Sequence, residues 1–269
     1  MGRFKEPDRW IGIHLLPQIE ESTLAQNIVH CMDLDGPDPG YSACDDCEHD
    51  ANGNVGRAPM PFMICPSAPP MSYLLSAYKL EHLAKGNYAA NFGADTYMSF
   101  QSARKAGLFG ILDLGAKILT EGDPACVQLG RSRMGWGRGV KVRDVLDGTS
   151  HTLAVTEVVG FDDYRDGRGT WFAPAMGASS ITGKSTPNSQ TNDIIPVCYS
   201  GIPSTDPLHC TQNQTSGDVF AAARSRHPGG VMTVFADASI HFVSDSVDPS
   251  TWTALSTIAG GETTPLVDR

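Results

Sequence analysis

Residues 226–243 constrain the fold of this chain most strongly, because their pattern is typical of a β-hairpin. Two runs of apolar and β-branched residues flank a turn signal at residues 237–238. If the hairpin turns on a two-residue loop there, Phe235 faces Ile240, and Phe242 lies on the same side of the ribbon. We therefore predict that these three side chains are buried together on one face against a core.

The composition favours one large, turn-rich domain over residues 1–269. The chain has 41% hydrophobic and 19% charged residues, enough for a core, and its 28 glycines and 18 prolines favour β-structure over a helical bundle. The net charge of −10 argues against binding to nucleic acid or to an anionic membrane, since both need clustered Lys and Arg. The sequence contains no run of 18 apolar residues, so it predicts no membrane span.

Three further segments predict individual elements. Residues 152–159 are apolar and β-branched, which indicates a buried strand. Apolar residues at helical spacing within residues 72–82 predict a short helix. An Asp-Pro pair at residues 248–249 is typical of the start of a helix, which would place Trp252 and Leu255 on one face.

Seven cysteines are many for a reduced protein of this size, and they favour disulfides in an oxidising compartment. Cys198 and Cys210 bracket a polar loop, and we predict that they are bonded to each other. Two more bridges are expected among four cysteines in one third of the chain: Cys31, Cys44, Cys47 and Cys65. The spacing of these four also resembles a zinc site with four cysteine ligands, which stays open as the alternative. Cys126 would be the odd thiol.

Two stretches are predicted to be long surface loops. Residues 32–61 are acidic and Cys-rich, and residues 174–218 form a polar insertion with few apolar residues. In the first loop, the side chains with the spacing of an EF-hand's first calcium ligands are Glu48, Asp50 and Asn52. Pro59 stands where that loop has its bidentate Glu, so a structural calcium site and a solvated acidic turn both stay open.

Other candidate chemistry is weaker. His227, Asp237 and His241 are ligand types for a metal, but the strand between the first two spans about 20 Å, too far for a shared ion. We predict instead that Asp237 bonds turn amides and that His227 bonds backbone at the hairpin entry. The chain lacks a G-x-S-x-G elbow, and its G-x-G run at residues 135–139 lacks the flanking elements of a dinucleotide site. We expect no catalytic residue.

The hairpin also carries a family resemblance. From His227 to Asp237 it is similar to the H-x9-D-G signature of a large planctomycete family of type II secretion pseudopilins, also labelled bacterial solute-binding protein family ten. Further blocks resemble that family in its order: Trp10–Pro17, Phe62–Ser67, Asn87–Gly93, Asp147–Leu153 and Gly260–Glu262. Ala238 departs from the family's Gly and disfavours a turn that needs positive φ there. The family's prepilin leader and long apolar helix are also missing from residues 1–6, which implies that an N-terminal segment has been removed.

The resemblance implies an α+β fold: a pilin-like antiparallel β-sheet with short helices and long loop insertions stapled by disulfides. It implies a non-enzymatic structural subunit of an extracellular or cell-surface pilus-like filament, or a secretion-associated pseudopilin. Such a subunit would associate with itself or with other pseudopilins, and with a membrane only through the missing helix. No cofactor beyond a structural calcium is expected. The alternative, which follows from the family's second label, is an exported module that binds a solute or a glycan.

Overall fold

The computed structural model describes residues 15–27, 54–71, 73–77, 80–110, 140–173, 175–213 and 217–262. Its helices include α1 (Ser22–Gln26) and α2 (Pro249–Leu255). Short 3-10 helices fill many connections: Leu16–Ile19, Pro61–Met63, Tyr97–Gln101, Val142–Asp144 and Thr149–His151. Within these ranges no helix combines the length and the apolarity that crossing a bilayer requires.

The strands form one five-stranded sheet and two small ribbons. They are β1 (Leu74–Ala77), β2 (Leu80–Leu83), β3 (Tyr88–Asn91), β4 (Leu153–Glu157), β5 (Ser180–Ile181), β6 (Asp193–Ile195), β7 (Cys210–Gln212), β8 (Gly230–Phe235) and β9 (Ile240–Ser244). The central sheet has the order β5-β3-β4-β8-β9. Its strands pair antiparallel except for β5, which lies parallel to β3. The architecture is therefore α+β as predicted, but the sheet is mixed rather than antiparallel.

The inner face of the sheet carries the main core. On β8, Val231 and Phe235 are buried on the same side, as is Val243 on β9. Strand β4, predicted from its β-branched run, contributes Leu153, which lies opposite Phe235 in the sheet. Helix α2 covers this core with Trp252, which is fully buried. The predicted helix start is confirmed, since the Asp248 carboxylate accepts a hydrogen bond from the Thr251 amide at 3.0 Å.

The predicted hairpin is present, but its register differs by one residue from the prediction. The Phe235 amide donates to Ser239 O, and the Ala238 amide donates to Phe235 O, both at 2.9 Å, so the loop has three residues rather than two. Val234 therefore faces Ile240 across the ribbon. Ile240 is 63% exposed and Phe242 is 47% exposed, so the prediction that both are buried with Phe235 is wrong.

The loop length follows from contacts outside the hairpin. The amide of Ala236 donates to Thr152 O at 2.8 Å, and the amide of Asp237 donates to Thr149 O at 3.2 Å. These bonds tie the loop to the start of β4. Ala238 then closes the loop with φ of +66°, in the left-handed region that disfavours a Cβ.

Replacing Ala238 with Gly is expected to raise the free energy of unfolding by up to about 1 kcal/mol, because Gly adopts a positive φ without the Cβ clash. Urea unfolding measures the change. Ala236 in the same loop does not have positive φ, so Ala236→Gly should destabilise and serves as the matched control. A loss of stability in Ala238→Gly would show that this residue does not hold the left-handed conformation.

The predicted polar surface insertion, residues 174–218, is largely part of the body of the protein. Residues 175–213 contribute three strands, including β5 of the central sheet. Met176, Ile181 and Ile195 are at most 2% exposed. The prediction of a surface loop is wrong, because most of the segment's aliphatic side chains are buried in the core although they are few.

A disulfide and a buried ion pair fix this segment to the rest of the fold. A disulfide joins Cys198 to Cys210, as predicted. Asp193 on β6 forms a two-point ion pair with Arg224, with N–O distances of 2.8 and 2.9 Å, and both side chains are buried. Arg224 in turn donates its amide to Glu157 O on β4, so the insertion is linked directly to the central sheet.

A second core lies under the segment before β3. Leu16, Met60 and Trp171 are buried there at 1% exposure each. The β1–β2 ribbon occupies the stretch for which a helix was predicted, and that prediction is wrong. Over so few residues the apolar spacing fits a helix as well as a strand. Antiparallel pairing of β1 with β2 decides in favour of the strand.

Candidate functional site

The signature histidine lies in a cluster with a thiol and a carboxylate. His227 Nε2 is 3.0 Å from Glu157 Oε1 and 3.7 Å from Cys65 Sγ. These three side-chain atoms all lie within 4.8 Å of one another. His227 thus contacts side chains, and the prediction that it bonds backbone at the hairpin entry is wrong.

Glu157 is positioned by the central sheet. It is the last residue of β4, where it lies opposite Tyr88 of β3, and only 3% of it is exposed. Its second oxygen, Oε2, accepts a hydrogen bond from the Met232 amide on β8 at 2.7 Å. One carboxylate oxygen of Glu157 therefore accepts a backbone hydrogen bond from the sheet, and the other faces His227.

Cys65 enters the cluster from the segment after the 3-10 helix Pro61–Met63. Its amide donates to Asn87 Oδ1 at 3.0 Å, which holds the turn against the start of β3. Cys65 is buried and has a free thiol, so the prediction that it belongs to a disulfide is wrong. The reason is spatial: its sulfur points at His227 and Glu157.

His227 reaches the same place through a shaped turn. Its amide donates to Ser225 Oγ at 2.9 Å, and that hydroxyl donates to Gly230 O at 2.8 Å. Gly229 has φ of +86°. A Cβ on Gly230 would lie 2.2 Å from Val243 O, so the glycine pair permits the sharp entry into β8 that carries the imidazole back over β4.

The cluster borders a small pocket. The lining includes Cys65, Asn87, Glu157 and Arg224, and the cavity volume open to water-sized spheres is about 10 Å³. That is room for about one water molecule and far below the about 300–1,000 Å³ of a typical small-molecule site. The side chain of His227 is 31% exposed, which leaves a path from solvent.

The electrostatics of the cluster are mixed. Burial raises the pKa of Tyr88, and the nearby Cys65 and Glu157 add to the rise because a negative charge beside the phenol disfavours its ionisation. The Arg224 guanidinium is already paired with Asp193. The positive charge of Arg224 is therefore used by Asp193 and does not neutralise the acidic groups of the cluster.

The geometry fits a shared cation better than a nucleophilic relay. In a relay the carboxylate orients one imidazole nitrogen and the thiol contacts the other. Here both Glu157 and Cys65 contact the same atom, His227 Nε2. Three ligand atoms that converge in this way leave space for one ion between them.

Asp237, the second signature residue, has a separate role in the hairpin loop. Its Oδ1 accepts hydrogen bonds from the Ser239 amide at 2.9 Å and from the Ser239 hydroxyl at 2.6 Å. These two bonds hold the pKa of the exposed Asp237 carboxyl below its ordinary value. His241 Nε2 is 3.0 Å from Ser239 Oγ in the same loop. The two signature residues thus serve different sites.

A second candidate site is the solvent-facing side of the hairpin together with the neighbouring residue of β4. We call this surface the outer face, and its side chains are Val155, Met232, Val234, Ile240 and Phe242. Val155 lies opposite Val234, and Val234 lies opposite Ile240, so the apolar side chains cross three neighbouring strands. Strand β9 is the edge of the sheet within the described ranges. The patch is apolar and uncharged, whereas natural proteins usually place charges or proline on an edge strand.

Sequence reasoning missed Glu157 and the grouping of Cys65 with His227. A carboxylate inside a buried β-branched strand was the available signal, since such a residue needs a partner. The predicted calcium ligands Glu48, Asp50 and Asn52 lie outside the described residues. So do the remaining cysteines of the predicted front bridges: Cys31, Cys44 and Cys47.

Comparison with known proteins gives one finding. A family model described as "Protein of unknown function (DUF1559)", SBP_bac_10, matches residues 2–250. No curated protein matches the chain, and no solved structure does.

Proposed function

We propose that this chain, which belongs to the DUF1559 family by the match over residues 2–250, is a structural subunit that associates with copies of itself into an extracellular pilus- or pseudopilus-like filament. The observation that carries the proposal is the apolar outer face on the edge of the central sheet. In this role the protein is not an enzyme, and its partners are other pilin-like subunits.

The outer face supports self-association through its exposed apolar side chains and its position on the edge of the sheet. Ile240 and Phe242 are 63% and 47% exposed, and both stand on an edge strand. A soluble protein that exposes neighbouring large apolar side chains generally covers them with a partner. Since adjacent side chains on β9 alternate between faces, Ile240 and Phe242 can be covered without disturbing the buried Val243.

The free edge of β9 adds a backbone contribution. In the described ranges β9 pairs only with β8, so Ile240, Phe242 and Ser244 direct backbone N–H and C=O groups outward. A strand from another subunit could satisfy these groups while covering the outer face. If that strand comes from a different surface of the next subunit than β9, the contact is head-to-tail, and identical subunits can then extend into an open filament rather than a closed dimer.

The disulfide supports the extracellular part of the proposal. Disulfides persist in oxidising compartments, and Cys198–Cys210 holds the segment that supplies β5 to the central sheet. The pocket beside Cys65 is smaller than a typical small-molecule site, so the alternative, an exported solute-binding module, would have to bind its ligand elsewhere.

Substitution of the outer face tests the proposal. Covering the exposed half of Ile240 or Phe242 in a contact contributes about 1 kcal/mol, and a Lys at the same place adds the cost of burying an unpaired charge. Ile240→Lys and Phe242→Lys should therefore each weaken self-association by more than about tenfold. Sedimentation velocity over a concentration series, with electron microscopy of the concentrated sample, measures the assembly.

A matched control comes from an exposed apolar residue elsewhere. Leu146 is 75% exposed and precedes β4, so Leu146→Lys makes the same chemical change away from the hairpin and should leave assembly unchanged. Far-ultraviolet circular dichroism verifies that each variant is folded. A wild-type protein that stays monomeric at every concentration, or equal assembly of all three variants, contradicts the proposal.

A further inference from the structure

The Cys65, Glu157 and His227 cluster has the ligand chemistry of a transition-metal site. Thiolate sulfur, imidazole nitrogen and carboxylate oxygen are the three protein ligand types of zinc. With ordinary zinc bond lengths, a tetrahedral site separates sulfur from nitrogen by about 3.5 Å and nitrogen from oxygen by about 3.3 Å. The corresponding distances are 3.7 Å for Cys65 Sγ to His227 Nε2 and 3.0 Å for His227 Nε2 to Glu157 Oε1.

The charge of the cluster also suits a divalent cation. A buried carboxylate and a buried thiolate are costly alone, and a doubly charged ion neutralises both at once. Glu157 and Cys65 are 3% and 8% exposed. The ligands are soft to borderline and include one sulfur, which favours zinc over calcium or magnesium.

We propose that Cys65, Glu157 and His227 bind one zinc ion, with solvent in the fourth coordination position. The small pocket lined by Cys65 and Glu157 and the partly exposed edge of His227 give solvent and the ion a path to the cluster. The hydrogen bond that the Met232 amide donates to Glu157 Oε2 fixes the carboxylate, so that the other oxygen, Oε1, faces the ion.

Such an ion would connect three distant parts of the chain. Cys65 comes from the segment before β3, Glu157 from the end of β4 and His227 from the entry to β8. A metal bound only by the folded chain stabilises it by mass action. Zinc at this position therefore ties the front segment to the central sheet, independently of the outer face proposed for assembly.

Metal loading of the intact protein tests the site. The full chain, purified with its disulfide intact and stripped with a chelator, should bind one zinc ion per chain by elemental analysis and calorimetry. Its melting temperature should rise on adding zinc chloride. Cobalt should give a thiolate-to-cobalt charge-transfer band that is lost in Cys65→Ser.

Two ligand variants separate this site from the four-cysteine alternative. Glu157→Gln and His227→Gln should each lower the affinity for zinc by more than about 100-fold. Loss of a residue that only hydrogen-bonds a metal ligand costs up to about that much, and these two residues are ligands themselves. Gln at position 157 still accepts the Met232 amide, so the sheet is preserved. The control His241→Gln changes an imidazole in the same hairpin that bonds Ser239, and it should bind zinc like the wild type.

A triple variant, Cys31→Ser with Cys44→Ser and Cys47→Ser, should keep the site. Loss of zinc in that variant together with full binding in Glu157→Gln and His227→Gln would assign the metal to the four cysteines and overturn the proposal. Absence of bound zinc in the wild type would do the same. Where a variant fails to fold, modification of His227 by diethyl pyrocarbonate in the wild type gives the answer, because His227 belongs only to this site: zinc should slow it at least tenfold, and an unchanged rate overturns the proposal.

Discussion

Arg168→Met is expected to lower the free energy of unfolding by about 3–5 kcal/mol, because it leaves the Asp166 carboxylate buried without its charge partner. The two side chains are 1% and 0% exposed. They are joined at two points, with Arg168 Nε and Nη2 each 2.9 Å from an Asp166 oxygen. The same pair holds the insertion, since Asp166 also accepts from the Tyr199 amide and Arg168 donates to Leu208 O. Urea unfolding monitored by tryptophan fluorescence measures the loss.

The neighbouring sequence offers a matched control. Asp163 and Arg165 have the same spacing and the same two-point geometry, with distances of 2.9 and 2.7 Å. The Arg165 side chain is 49% exposed, so water screens this pair and Arg165→Met should change stability little. The double change Asp166→Leu with Arg168→Met should recover part of the loss by removing both charges. If Arg168→Met proves as mild as Arg165→Met, the buried pair does not hold the fold.

Phe235→Ala is expected to destabilise the protein by about 3–5 kcal/mol through lost burial and the cavity that remains. Phe235 is 3% exposed, and its ring packs edge-on against the ring of His241 at a centroid distance of 5.2 Å. Opposite it on β4 lies the fully buried Leu153. Denaturant unfolding at constant pH measures the change.

Phe242→Ala is the control for the same residue type in the same hairpin. Phe242 is on the outer face and 47% exposed, so its removal should cost well under half as much as removal of Phe235. The comparison also tests the register. A hairpin with a two-residue loop would bury both rings on one face and make the two losses similar, whereas the observed three-residue loop makes them unequal.

Local sequence determined the elements whose physical cause is local. The Asp248-Pro249 pair caps α2 because the capping bond needs only residues three apart. The β-branched run 152–159 contains β4 because its side chains suit a pleated, buried surface. Cys198 and Cys210 pair because a loop of twelve residues brings them together at modest entropic cost.

Tertiary structure decided what depends on distant partners. The hairpin register follows from bonds between its loop and Thr149 and Thr152, about 85 residues earlier in the chain. That one-residue shift moved Ile240 and Phe242 from the core to the surface. The cluster was hidden for the same reason: Cys65, Glu157 and His227 are 70 or more residues apart, and only the packing of β3, β4 and β8 brings them within 4.8 Å. The spacing of these residues along the chain does not predict that they are close in space. Their proximity is set by the order of the strands in the sheet and not by a local turn.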